Sequence, residues 1–139
     1  MIYTLRSILN IGSGILSIAA KKLNANKIYA IDTDELAIIS SKQNIELSKL
    51  LDIDLNLGSI ESINENLKFD FIFANISSNI IIKYSDLLFS HLEKGGTLLC
   101  SGILNPHRND TLLTLEKSGF KLSDSFSEED WSCLELRNE

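Results

Sequence analysis

The sequence predicts an α/β fold: a mostly parallel sheet with helices on both faces and an antiparallel pair of strands at the end of the chain. Three observations carry that expectation. Short runs rich in apolar and β-branched residues alternate with longer stretches of helical period. The first such run passes through Gly12-Ser13-Gly14 directly into a helical stretch. The last two runs are separated by a polar turn too short to hold a crossover helix, which makes them an antiparallel pair. At 139 residues, read as a single domain over 1–139, the chain has no room for a second domain of about 150 residues.

The elements follow in order. SILNI (7–11) is a first strand and GILSIAAKKL (14–23) the helix after it; KIYAID (27–32) is a second strand. Residues 34–50 form a helix with Leu36, Ala37 and Ile39 on its apolar side and Lys42, Gln43 and Glu46 on the other. DIDLNLG (52–58) alternates polar and apolar residues at period two, as an outer strand does, whereas FDFIFAN (69–75) is nearly continuous in apolar residues and suits a strand buried on both faces. Residues 80–92 are helical and stop at Gly95-Gly96. TLLCSGIL (97–104) is the next strand, and Asn105-Pro106 starts a helix with Asn as cap and Pro at the first helical position, ending near Gly119. Strands at 120–126 and 131–137 flank a solvated turn, with Trp131 expected to pack on the sheet edge.

Composition removes several functions. Thirteen Lys and Arg against 19 Asp and Glu give a net charge of −6, which disfavours holding nucleic acid through its phosphates. No apolar run approaches the roughly 18–20 residues of a membrane-spanning helix. The two cysteines, Cys100 and Cys133, fit a reducing cytoplasm and cannot form a disulfide framework. With His91 and His107 they lack metal-ligand spacing, so no metal site is expected. His91 falls at a helix end, where the dipole favours a cation.

In an open α/β sheet, ligands bind beyond the carboxyl ends of the strands. Gly12-Ser13-Gly14 lets backbone N–H groups approach a ligand at a helix start. Asp32, twenty residues after Gly12, is placed to accept hydrogen bonds from ribose hydroxyls, and Asn75 ends the fourth strand with both a donor and an acceptor. Each also has a plainer reading, as a turn, a helix cap or an Asx turn. Together they point to a nucleoside-type ligand. The dinucleotide fingerprint needs a third glycine where Ser17 stands, and no Walker sequence is present. The terminal hairpin instead suits the sheet of S-adenosylmethionine-dependent methyltransferases.

GILSIAA (14–20), AIDTD (30–34), FANI (73–76), Gly95-Gly96, SGIL (101–104), Gly119-Phe120 and EDW (129–131) occur in order over residues 7–137. This series resembles the catalytic domain of the bacterial methyltransferase family that modifies large-subunit ribosomal protein 11. The resemblance implies a Rossmann-like class I methyltransferase sheet, S-adenosylmethionine as cofactor, and amines of a ribosomal protein in the cytoplasm as substrate. It implies that Gly12, Ser13 and Gly14 form the cofactor loop, that Asp32 holds the ribose with Thr33 beside it, and that Ser59 lies near the adenine. It implies that Asn75 stands beside the methyl group and orients the incoming amine.

The chain departs from that family's pattern in its cofactor loop. Asn10-Ile11-Gly12-Ser13-Gly14 replaces an acid followed by G-x-G-x-G, so the loop is shorter and the acid is an amide. The family's N-terminal substrate-recruiting domain has no counterpart before the first strand. A degenerate methyltransferase-like domain that acts as a binding module without turnover is therefore the alternative expectation.

Overall fold

The computed structural model describes residues 7–11, 27–47 and 53–139. Seven strands, β1 (Ser7–Ile11), β2 (Lys27–Asp32), β3 (Ile53–Leu57), β4 (Phe69–Asn75), β5 (Leu92–Leu104), β6 (Lys121–Glu128) and β7 (Trp131–Arg137), form one sheet in the order β3-β2-β1-β4-β5-β7-β6. Strands β1 to β5 pair in parallel, and β7 pairs antiparallel with both β5 and β6. The four α-helices among the described residues are α1 (Glu35–Leu47), α2 (Ser78–Lys83), α3 (Ser85–Ser90) and α4 (Arg108–Ser118). The expected helix over residues 14–23 lies outside the described residues.

Period two along the strands sorts residues between faces. Ile31, Ile72, Ala74, Leu98, Cys100, Leu134 and Leu136 join Ile81, Leu88 and Leu115 of α2, α3 and α4 in one core. Ile28 and Ala30 alternate with Tyr29 and Ile31 and are buried outside that core, so both faces of β2 are covered. The Ser118 hydroxyl donates to Asp86 Oδ1 (2.6 Å) and lies within hydrogen-bond distance of the Ser85 hydroxyl (2.8 Å), joining α4 to α3. Nearby, Phe89 and Phe120 meet edge to face at 5.1 Å.

Five local expectations change. In α1, Leu36 and Ile39 are 72% and 47% exposed; the inward stripe is Ile38, Ser41 and Ile45, one helical face at i, i+3 and i+7. The stretch 80–92 is two helices broken at Tyr84, whose backbone (φ −109°, ψ 18°) leaves the helical region. Gly95-Gly96 does not stop the helix. The chain leaves it at His91, because buried Leu92 already pairs with Phe69 and the Phe69 N–H binds His91 O at 2.8 Å; the two glycines lie inside β5. His91 ends the helix as expected but is buried, with Nδ1 2.7 Å from Leu67 O.

The last two changes concern the hairpin. Asn105 makes no capping bond; Pro106 lies in a 3₁₀ turn that precedes α4, and the Asn105 side chain is used elsewhere. Its Oδ1 accepts from Ser132 Oγ (2.5 Å), its Nδ2 donates to Glu129 O (2.8 Å), and its backbone N–H donates to Asp130 O (2.9 Å). Trp131 is 52% exposed and does not pack down on the edge. Ser132, Leu134 and Leu136 take the helix-covered face of β7, which turns Trp131 to the opposite side.

Candidate functional site

The carboxyl ends of β2, β3 and β4 converge on a cleft of about 170 Å³. Asp32 and Leu57 are partners at the ends of β2 and β3, and the Gly58 N–H donates to Asp32 O at 2.8 Å, extending the ladder one step. Gly58 then turns at φ +156°, where a Cβ would lie 2.5 Å from Ser62 Oγ, so only glycine is admitted without displacement of that side chain. Ser62 donates from its N–H and its hydroxyl to Ser59 O, closing the 3₁₀ turn and leaving the Ser59 hydroxyl free of any capping bond. Ser59 thereby lines the cleft beside Asp32 and Thr33.

Asp32 is not the helix cap. Asp34 has that role, its Oδ1 accepting the Leu36 N–H at 3.0 Å. Asp32 Oδ1 accepts the Asp34 N–H at 2.9 Å, an Asx-type bond that fixes the carboxylate at the cleft rim. Its second oxygen has no partner among the described residues. The floor is apolar: Ile60 and Ile76 follow the ends of β3 and β4, and Ile80, Tyr84 and Leu88 add a stripe at i, i+4 and i+8. Tyr84 donates from its hydroxyl to the Glu61 carboxylate, tying the helix break to the 3₁₀ turn. An acid and a hydroxyl on the rim of an apolar slot suit a flat ring bearing a polar, hydroxylated arm.

Asn75 ends β4 one residue before Ile76 and is exposed on the β5 side of the cleft. Its Oδ1 accepts from Ser101 Oγ at 3.0 Å. Beyond it, Ser101 and Gly102 border a second, more open depression of about 530 Å³, walled on the other side by Phe126, Glu128 and Trp131. Gly12, Ser13 and Gly14 lie outside the described residues. The strand that leads to them ends at Ile11, whose Cα partners are Ile31 and Ala74, each one residue short of Asp32 and Asn75. Sequence reasoning missed Gly58 and the apolar floor; the Ile80–Tyr84–Leu88 spacing was the available signal. Among the described residues, no group of three His, Cys, Asp or Glu side chains is placed to hold a metal ion, and no helix is long and apolar enough to cross a membrane.

A parallel sheet closed by an inserted antiparallel strand, with an acid at the end of β2 above an apolar slot, defines the class I methyltransferase fold. The crystal structure of N-methyltransferase NodS from Bradyrhizobium japonicum WM9 in complex with S-adenosyl-L-homocysteine shares that fold, with a TM-score of 0.79 over 97% of this chain and 79% of that one at 16% identity. More particularly, the chain belongs to the ribosomal protein L11 methyltransferase (PrmA) family, whose model matches residues 6–139. It is 33% identical over 141 aligned residues to the ribosomal protein L11 methyltransferase of Prochlorococcus marinus (strain AS9601), covering 96% of this chain and 46% of that protein. The chain thus spans about half the length of such curated relatives. The crystal structure of the ribosomal protein L11 methylase from Lactobacillus delbrueckii subsp. bulgaricus superposes with a TM-score of 0.92 at 29% identity, covering all of this chain and 72% of that one.

Proposed function

We propose that this chain is the methyl-transfer domain of an S-adenosylmethionine-dependent enzyme acting on amines of large-subunit ribosomal protein L11 in the cytoplasm. The observation that carries the reading is Asp32, held by the Asp34 N–H, its other carboxylate oxygen without a partner among the described residues, at the rim of an apolar slot at the strand ends. Family membership supports the substrate class. The residues fit the cofactor: Asp32 would hold the ribose, Thr33 and Ser59 would line its adenosyl side, and Ile60, Ile76 and Tyr84 would cover the base. Gly12, Ser13 and Gly14 would supply backbone donors to the methionine end. Bound there, the cofactor supplies an electrophilic methyl group on a sulfonium.

What remains for the protein is to deliver a neutral, aligned amine. Exclusion of water lowers an amine's pKa, because desolvation penalises its charged form. Asn75 would accept an amine proton at Oδ1 and so aim the nitrogen lone pair; alignment of this kind supplies a large share of such rates. In this reading residues 1–139 are the methyl-transfer unit. The test is calorimetry with S-adenosylhomocysteine, followed by transfer of labelled methyl to L11. One site and labelled L11 are expected. No binding at all overturns the reading, and binding without transfer leaves a binding module in its place.

A further inference from the structure

We propose that Ser101 is a positioning residue that fixes the side-chain amide of Asn75, an inference that rests on Asn75 being the group that orients the incoming amine. Asn75 and Ser101 are Cα partners across the parallel β4–β5 ladder, so both side chains emerge on the same side of the sheet. On its other edge β5 loses register with β7. Between the pairs Cys100–Leu134 and Ile103–Ser132, Ser101 and Gly102 together oppose Cys133 alone. That two-against-one arrangement is a β-bulge, a device that re-aims side chains at functional rims. Gly102 supplies the left-handed backbone (φ +80°) that the bulge requires.

The bulge closes on Asn75 from two directions. Ser101 Oγ donates to Asn75 Oδ1 at 3.0 Å. A Cβ on Gly102 would stand 3.1 Å from the same oxygen and 3.6 Å from Ile76 O, so the glycine backbone packs directly beside the amide. Without these neighbours an exposed asparagine turns freely, since its terminal torsion is broad and roughly two-fold. A turned amide presents NH₂ where an acceptor is needed and repels the amine proton. With the Ser101 hydroxyl on one lone pair, Oδ1 stays directed toward β5 and keeps its second lone pair for the substrate. Ser101 touches neither cofactor nor amine in this scheme; it acts through Asn75.

The test compares the parent with Ser101→Ala and Ser101→Thr in three measurements: affinity for S-adenosylhomocysteine by calorimetry, kcat and KM for methyl transfer to L11, and ¹⁵N relaxation of the Asn75 side-chain amide. Loss of one orienting hydrogen bond predicts a fall in kcat of about tenfold for Ser101→Ala, with KM and cofactor affinity unchanged and the Asn75 amide newly mobile. Ser101→Thr restores rate and amide order, because it keeps the hydroxyl. A purely structural bond lowers the melting temperature and leaves kcat alone; that pattern overturns the proposal. Should the parent transfer no methyl, the reading of the function fails separately. The relaxation comparison still decides Ser101, since an amide equally ordered with and without the hydroxyl refutes its positioning role.

Discussion

Asp32→Ala tests the cleft at its most exposed assumption. In the folded chain Asp32 Oδ1 accepts the Asp34 N–H at 2.9 Å, and in the proposed reading the remaining acceptor positions of the carboxylate hold the ribose hydroxyls. A hydrogen bond to a charged group contributes about 1.5–3 kcal/mol. At about 1.4 kcal/mol per decade, its loss predicts roughly 10- to 150-fold weaker binding of S-adenosylhomocysteine. Asp32→Asn keeps an acceptor for the Asp34 N–H and removes only the charge, so it falls between parent and alanine. Calorimetry at fixed ionic strength measures all three proteins. A thermal melt alongside separates lost affinity from lost fold, since the Asp32–Asp34 bond itself contributes only about 0.5–1.5 kcal/mol. If Asp32→Ala binds as tightly as the parent while melting normally, the carboxylate is not part of the site and the reasoning fails.

Four further outcomes follow from particular contacts. Gly119→Ala forces an L side chain to φ +120° with its Cβ 2.8 Å from the Phe89 ring, so it should destabilise by about 1–3 kcal/mol in chemical denaturation, the usual scale of overpacking. Asn105→Ala removes both side-chain bonds to Glu129 and Ser132 and frees the turn next to the chain's single tryptophan, so Trp131 emission and anisotropy should change with little loss of helix signal by circular dichroism. Burial, then the neighbouring Cys133, pushes the Cys100 thiol well above its ordinary value of 9.0, and burial with Glu135 nearby raises Cys133 less. Alkylation should therefore reach half-buried Cys133 first. Because the raised thiols favour the folded state only while protonated, stability should decline as pH climbs above about 9, where the unfolded thiols ionise.

Legibility of this fold in the sequence tracked how far each signal is local. The runs SILNI, KIYAID, FDFIFAN and WSCLELR match β1, β2, β4 and β7 in extent, because strand boundaries there coincide with turns and composition changes. The start of β5 was illegible: nothing nearby announces that Leu92 is claimed by Phe69, a partner far back in the chain. The α1 face misled for a related reason. Hydrophobicity favoured Leu36 and Ile39, yet on a helix that lies against β2 and β3 the less exposed positions are Ile38, small Ser41 and Ile45. At the site, Asp32 and Asn75 were readable as polar residues ending strands. The apolar floor was not, since Ile60 and Tyr84 look like ordinary core until the three-dimensional slot shows what they border.

The position of β7 has a consequence for synthesis. It is the last strand of the sheet to be made, yet it lies between β5 and β6, and among the described residues β6 pairs with no other strand. While the ribosome still shelters residues 131–137, β5 presents an unsatisfied edge and β6 dangles without a ladder. The nascent polypeptide therefore cannot latch two of its strands until translation has passed that point, and in that interval it is open to pairing with a neighbouring chain.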